Sequence, residues 1–168
     1  MYEKCLDAVI IDREDAGEAD AYVFLYTQEL GKIKARAKSV RKITSRLASH
    51  LQPGNLSRIR LVGKSEDSKF FQLVDALLVK KLCLPLDILQ FVKGLTLDHE
   101  PDEKLWNVFL GGGAGKRQIL QVLGWDPEHA WCSYCDLKSV RYFSETSQSF
   151  ACYACVRRVD QNEVLYEI

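Results

Sequence analysis

The amino-acid sequence predicts an α+β fold in which a small β-barrel precedes short helices and a four-cysteine metal site. Three observations support this fold class. The first 75 or so residues contain five short segments with the alternation or β-branched content of strands. After Ala76 the apolar residues recur at helical spacing instead. Two Cys-x2-Cys pairs, separated by sixteen residues, follow near the C-terminus.

Length and composition set outer limits on the protein class. The chain has 168 residues, 47% hydrophobic and 27% charged, which is ordinary for a globular protein. No run of about 20 apolar residues could cross a membrane as a helix. The first residues lack the basic-then-apolar order of a secretory signal, so we expect a cytoplasmic protein.

The first three predicted strands occupy residues 5–11, 21–27 and 32–38. Aromatic and β-branched side chains dominate the second segment, and a turn containing Gly17 precedes it. In the third, Lys32, Lys34, Arg36 and Lys38 alternate with Ile33, Ala35 and Ala37. Strand side chains alternate with period two, so the four cations share one face.

A short helix is predicted over residues 43–51, and strands over 56–62 and 70–74. Five short strands with a helix between the third and fourth are typical of an oligonucleotide/oligosaccharide-binding (OB) barrel. Periodicity alone leaves another small β-barrel open.

Charge is strongly segregated although the net charge is zero. Residues 1–30 carry eight acids and two bases, whereas residues 31–64 carry ten bases and no acid. Four cations on one strand face repel one another, and a polyanion would compensate them best. The alternative is a solvated basic face without a ligand. Of the aromatic residues nearby, we expect at most two on the surface, where they could stack on bases; the candidates are Tyr22, Phe24, Tyr26, Phe70 and Phe71.

Helical segments are predicted at 82–95 (interrupted near Pro85), 105–110 and 116–123. The predicted domains are an OB-type barrel over 1–76, a helical domain over 77–125, and a four-cysteine zinc finger with a C-terminal tail over 126–168. No catalytic constellation is visible. The glycine run at 111–115 fails as a phosphate loop, because Leu110 and Arg117 replace the glycine and the hydroxyl residue needed there. We therefore expect a protein that is not an enzyme.

The two cysteine pairs are the most specific motif. Cys132, Cys135, Cys152 and Cys155 have the spacing of a closed, structural Zn2+ site, which leaves no position for a substrate. His129 could replace one thiolate, but a surface or capping role is the simpler interpretation. The remaining two cysteines, Cys5 and Cys83, are predicted to be buried.

Three segments in order carry a resemblance to a known family. They are Ala8-Val9-Ile10-Ile11 with Gly17-Glu18-Ala19-Asp20; Gly31-Lys32, Ala37-Lys38-Ser39-Val40-Arg41-Lys42, Ser45-Arg46-Leu47 and Leu51-Gln52-Pro53-Gly54-Asn55; and Leu123-Gly124-Trp125-Asp126-Pro127, Tyr142-Phe143-Ser144 and the cysteine pairs. This set resembles the RecO family of bacterial recombination mediators. The chain ends 13 residues after Cys155, earlier than the family's helical domain usually does, so the resemblance indicates a short variant.

The resemblance implies a mediator of DNA repair that binds single- and double-stranded DNA and anneals complementary strands. It also implies the partners RecR and single-stranded-DNA-binding protein, and help in loading the recombinase RecA. Residues implied to contact nucleic acid are Lys32, Lys34, Arg36, Lys38, Arg41, Lys42 and Arg46, and the basic strand face adds Arg58 and Arg60. Two alternatives stay open: a zinc-stabilised adaptor that receives an acidic peptide, and an RNA-binding barrel.

Overall fold

A computed structural model describes residues 1–65, 68–113 and 115–168. The chain divides into two compact units, residues 1–113 and residues 114–168. We call the second unit the cysteine lobe. The finer three-part division at residues 76 and 125 stays a prediction. Among the described residues, no helix combines the length and apolar content needed to cross a membrane.

Five strands of the first unit close into a barrel with the order β1-β2-β3-β5-β4. Their bounds are β1 Tyr2–Ala16, β2 Asp20–Thr27, β3 Gly31–Ala37, β4 Asn55–Gly63 and β5 Phe71–Lys81. All neighbours are antiparallel except β3 and β5, which pair in parallel at three positions. The five predicted strands and the α+β class are confirmed, although β1 and β5 run well beyond their predicted ends.

Strand alternation builds the barrel core as predicted. Ile33, Ala35 and Ala37 of β3 are buried, together with inward residues of the other four strands. Val40 and Leu51, from the two ends of the β3–β4 connection, join the same cluster. The connection is therefore anchored to the barrel at both ends.

The helix predicted over residues 43–51 is wrong, because this segment forms only turns and bends. Side chains satisfy its backbone in place of a helical ladder. The Asn55 amide donates to the carbonyls of Ser49 and His50, and the Ser57 hydroxyl donates to the His50 carbonyl at 2.6 Å. Such local bonds compete with helix formation.

Two helices follow the barrel, α1 (Leu86–Leu95) and α2 (Glu103–Gly111). Tyr26 is fully buried, meets Phe109 of α2 edge to face at 5.3 Å, and accepts a 2.9 Å hydrogen bond from the Asp102 backbone N–H. The α1–α2 connection also joins β3, where the His99 N–H donates to the Lys32 carbonyl at 2.8 Å. These contacts hold both helices to the unit that contains the barrel.

Gly31 is the closest approach between β3 and this connection. A Cβ atom there would collide with the Glu100 carbonyl and lie 2.7 Å from the Pro101 nitrogen, and the Gly31 φ of +63° is already unfavourable for other residues. We expect Gly31→Ala to lower the free energy of unfolding by at least about 2 kcal/mol. Gly17→Ala is the matched control, because Gly17 has a φ of +85° but no neighbour within 4 Å. If Gly31→Ala and Gly17→Ala lose the same free energy of unfolding in urea, the collision at Gly31 does not contribute.

The cysteine lobe contains α3 (Lys116–Val122) and a three-stranded sheet of order β7-β6-β8, with bounds β6 Tyr142–Ser144, β7 Ser149–Ala151 and β8 Leu165–Glu167. The hairpin predicted between the cysteine pairs is β6–β7, whereas β8 was not predicted. Phe143 packs on Trp125 at 5.5 Å and on Phe150 at 5.0 Å. The predicted glycine loop includes position 114, which lies outside the described residues.

Candidate nucleic-acid interface and metal site

The outer face of β1 and β4 interleaves acids with the predicted cations. Arg58 donates to both carboxylate oxygens of Asp7 at 2.9 and 3.1 Å, and Arg60 lies 3.2 Å from Glu3. The hydrogen bond to Asp7 raises the pKa of Arg58. Both arginines are exposed, but their charge is largely matched within the sheet.

Lys32 differs from the other predicted site residues because its ammonium group is turned inward. Its side chain is only 12% exposed, and Nζ donates to the backbone carbonyls of Lys93 at 2.8 Å and of Thr96. Asp98 lies 3.3 Å away. A cation at the C-terminus of α1 satisfies carbonyls that lack helical partners. The structure therefore gives Lys32 a role in attaching α1, which argues against its predicted role in binding phosphate.

A substitution separates these two roles. Lys32→Met removes the donor for two carbonyls, and we expect it to lower the free energy of unfolding by about 1–3 kcal/mol. Lys38→Met, at the exposed position directly after β3, should change it by less than about 0.5 kcal/mol. Thermal or urea unfolding of the two variants makes the comparison. Equal stability of the two variants would mean that Lys32 does not hold α1.

Lys34 lies above two aromatic rings of β2. Its Nζ is 4.1 Å from the Tyr22 ring centroid and 5.1 Å from that of Phe24. Lys93 of α1 approaches the Phe24 ring to 3.9 Å. These rings are half-buried and already in contact with cations, which reduces the face available to a base. Tyr26 and Phe71 are buried, so Phe70, 76% exposed, is the most accessible of the predicted aromatic residues.

A cation that the sequence reasoning missed is Lys93, which has two acidic partners on β1. Lys93 donates to Asp12 at 2.7 Å and to Glu14 at 2.6 Å. Burial would raise the pKa of Asp12, but hydrogen bonds from Lys93 and Gln90 lower it. The acids of β1 thus neutralise a cation that α1 brings from about 80 residues away in the chain, and no local sequence pattern reveals such a pair.

Asp20 fixes the start of the β3–β4 connection. One of its carboxylate oxygens accepts a 2.8 Å hydrogen bond from the Ser39 backbone N–H, and the other binds Arg36 at 2.8 and 3.0 Å. These hydrogen bonds lower the pKa of Asp20, and the bond from the Ser39 N–H contributes most. Arg41 donates to the Gly17 carbonyl at 2.8 Å and lies 3.1 Å from Asp15. Both arginines remain exposed while their positions are held.

Lys38, Lys42 and Arg46 are exposed and form no ion pair with an acid of the described residues. All three lie in the segment 38–46, which we call the basic loop. Asp20 fixes its start, and Val40 within it and Leu51 beyond it are buried. Excess positive charge is therefore concentrated on a loop that the barrel holds in place.

The four cysteines of the two pairs come together in the cysteine lobe. Their Sγ atoms all lie within 4.8 Å of one another, and those of Cys135 and Cys152 are 3.7 Å apart. A tetrahedral metal with metal–sulfur distances of about 2.3 Å requires sulfur–sulfur distances of about 3.8 Å. The cluster is compatible with a structural metal.

The local backbone favours the thiolate form of one of the four cysteines, Cys132. Burial would raise the pKa of Cys132, but backbone hydrogen bonds from Cys152 and Tyr134 lower it to about 6. The hydrogen bond with Cys135 and burial raise the pKa of Cys155 to about 12. Four thiolates this close together need a bound cation to offset their repulsion.

The remaining cysteine and histidine predictions divide. Cys5 and Cys83 are exposed, so the prediction that they are buried is wrong. Alternation explains Cys5, because the neighbouring Leu6 takes the inward position of β1. Cys83 lies in the connection between β5 and α1. His129 is a surface residue, 85% exposed, which binds Asp126 at 2.6 Å.

Comparisons with known proteins agree with this architecture. The family described as Recombination protein O N terminal matches residues 1–79. The DNA repair protein RecO of Pelotomaculum thermopropionicum is 30% identical over 173 residues, covering 89% of this chain and 67% of that protein. The DNA repair protein RecO of Dehalococcoides mccartyi (strain 195) is 30% identical over 172 residues, covering 88% and 68%. That of Nocardioides sp. is 26% identical, covering 89% and 72%. On this similarity across barrel, helices and cysteine lobe, the chain belongs to the RecO family of DNA repair proteins.

Proposed function

We propose that this protein is a DNA-binding recombination mediator in DNA repair, without enzymatic activity of its own. The observation that carries the proposal is the basic loop, where Lys38, Lys42 and Arg46 project from a fixed segment without an ion pair to any described acid, although Asp20 acts on Lys38 at longer range. Such an arrangement suits the sugar–phosphate backbone, which supplies most of the affinity in binding that is independent of sequence.

The barrel provides a second line of support. Its order β1-β2-β3-β5-β4, with β1 pairing to both β2 and β4, is that of an OB-type barrel, a scaffold that binds oligonucleotides. Arg36 on β3 and Arg41 within the basic loop are each paired with one acid, Asp20 and Asp15 respectively. We propose that phosphates complete the neutralisation of these two arginines and of the three cations named above. Lys34 contributes at the edge of the site, and the matched Arg58 and Arg60 contribute least.

The family relationship extends the proposal to partners. The relatives are named DNA repair protein RecO. By the resemblance described above, we propose that this chain anneals complementary strands and acts with RecR to load recombinase on single-stranded DNA. Binding to single-stranded-DNA-binding protein belongs to the same proposal. A cytoplasmic, nucleoid-associated location follows from DNA as the ligand.

For the cysteine lobe we propose one structural Zn2+ held by Cys132, Cys135, Cys152 and Cys155. The donor set of four thiolates and the sulfur–sulfur distances fit this ion. Bound zinc would join the two cysteine pairs and add folding free energy to a lobe with a small core. Four protein ligands leave no open coordination position, so the metal would have no catalytic role.

A titration with three ligand classes tests the proposed function. We expect labelled single-stranded DNA of about 30 nucleotides to bind at low salt, with an affinity that falls steeply as salt is raised. An acidic peptide of similar charge and a structured RNA are the competitors. Binding of the peptide without binding of DNA would support the adaptor instead, and a clear preference for structured RNA would support an RNA-binding role.

A further inference from the structure

The cysteine lobe displays aromatic residues that its core does not use. Trp131 is 53% exposed and Tyr153 is 72% exposed, whereas Phe143 and Phe150 of the same lobe are buried. Each exposed ring lies next to a metal-ligand position, Trp131 before Cys132 and Tyr153 after Cys152. The Sγ atoms of those cysteines lie within 4.8 Å of each other, so the chain positions 131 and 153 lie in one small region of the lobe.

Cations accompany both rings. Nζ of Lys138 is 4.7 Å from the Trp131 ring centroid, and Cζ of Arg141 is 5.8 Å from that of Tyr153. The short 3-10 helix Val156–Arg158 adds two exposed arginines directly after Cys155. Lys138 forms no ion pair with a described acid, while Arg141 is paired with Glu167 at 2.8 Å.

Several acids of the lobe are committed elsewhere. Asp126 binds His129, Glu145 accepts from the Tyr166 hydroxyl at 2.8 Å, and Glu163 accepts from two serine hydroxyls. The carboxylates of these three residues therefore have partners other than the cations next to the two aromatic rings. At the two rings, exposed aromatic faces occur together with cations, a combination that is found in single-strand binding surfaces.

We propose that the cysteine lobe carries a second contact for single-stranded nucleic acid, in which Trp131 and Tyr153 stack on bases while Lys138 and the neighbouring arginines hold phosphates. The inference rests on the proposed function and deepens it, because it separates the two sources of affinity. The basic loop of the barrel holds phosphates alone, and the lobe holds unpaired bases. Double-stranded DNA, whose bases are already stacked on one another, would use only the basic loop.

A double comparison of protein and ligand tests this contact. The full, metal-loaded chain and the Trp131→Ala/Tyr153→Ala variant are each titrated with labelled oligothymidine and with an abasic strand of equal length, both of about 30 nucleotides. Stacking of two rings together contributes from about 30-fold to more than about 1,000-fold in affinity. We expect a loss in that range for oligothymidine and less than about twofold for the abasic strand.

Leu137→Ala is the matched control, because Leu137 is a 57% exposed apolar residue of the same lobe without an aromatic ring. It should leave both affinities unchanged. Unchanged affinity for the abasic strand, with about one equivalent of zinc, shows that the aromatic variant is folded. Equal losses for both strands, or no loss for either, would overturn the stacking contact.

Tryptophan emission gives an independent readout. Trp106 is 5% exposed and Trp125 packs on Phe143, so Trp131 is the most accessible of the three tryptophans. We expect oligothymidine to quench the emission and Trp131→Phe to abolish the quenching. If the wild type binds DNA by anisotropy without quenching, the lobe contact fails while the proposed function stands. If the wild type binds no strand, the proposed function fails first. Quenching by an acidic peptide alone would make the lobe a protein-binding surface.

Discussion

Removal of the proposed zinc ion from the four-cysteine site is expected to unfold the cysteine lobe while the barrel stays folded. Structural zinc sites contribute about 10–16 kcal/mol of apparent binding free energy in small domains, more than the lobe's short strands and few buried aromatic residues could replace. The barrel unit has its own large core and no residue of the cluster. Amide exchange before and after chelation should show protection lost in the lobe only.

Single substitutions sharpen this prediction. Cys132→Ser, at a fully buried ligand, should reduce zinc content below half an equivalent and unfold the lobe. Cys5→Ser and Cys83→Ser are matched controls, since both cysteines are exposed and lie outside the cluster. Atomic absorption on protein purified without added metal gives the content. A lobe that keeps its protected amides without any metal would contradict the site.

Reversal of two charges in the basic loop is expected to weaken DNA binding strongly. Lys42→Glu/Arg46→Glu removes two phosphate contacts, each of which releases about 0.7 of a counterion on binding to a single strand. Counted from a reference of about 1 M salt, where these contacts add nothing, the affinity at about 50 mM salt falls by roughly 60-fold. Repulsion by the new carboxylates adds to this loss. All sequences should be affected alike, because phosphate contacts do not read bases.

The control for this variant has the same change in net charge. Lys80→Glu/Lys104→Glu alters two exposed lysines, one on β5 and one on α2, that lie outside the basic loop. Its affinity should fall by less than about threefold through the general field alone. Equal losses in the two variants would mean that only net charge matters and that the loop is no binding site.

Local sequence patterns predicted most of the barrel, and the reason is visible in β3. Its strict alternation places Ile33, Ala35 and Ala37 in the core and leaves the cations outside. The cysteine spacing predicted the four-cysteine cluster equally well, because each Cys-x2-Cys pair already brings two thiols close together within one turn. In β3 and in the cysteine pairs, the features that the sequence predicted arise from residues that are close together along the chain.

What the sequence could not reveal depends on contacts between distant segments. Lys32 looks identical to Lys34 in the alternating pattern, yet the Lys32 ammonium donates to a carbonyl of α1 whereas that of Lys34 lies over the Tyr22 ring. Likewise, acids and cations that are separated in the sequence become neighbours in the barrel, where Asp20 meets Arg36 across 16 residues and Asp7 meets Arg58 across 51 residues. Antiparallel pairing of β1 with β4 and of β2 with β3 converts segregated charge into matched pairs.

The helix predicted over residues 43–51 fails for a related reason. Its residue types permit a helix, but the two buried ends of the connection, Val40 and Leu51, are fixed by the barrel rather than by the segment itself. Side chains of β4 then bind the backbone that a helix would need. Tertiary contacts thus override a weak local preference.

The salt dependence of DNA binding tests the central claim most directly. Log affinity for single-stranded DNA is measured against log salt for the wild type, for Lys42→Glu/Arg46→Glu and for Lys80→Glu/Lys104→Glu. If the basic loop holds the phosphates, the slope of the first variant is shallower than that of the wild type by about 1.4, and the slope of the second is unchanged. Identical slopes for all three proteins would contradict the claim that the basic loop holds phosphates, and the DNA would have to bind at another surface.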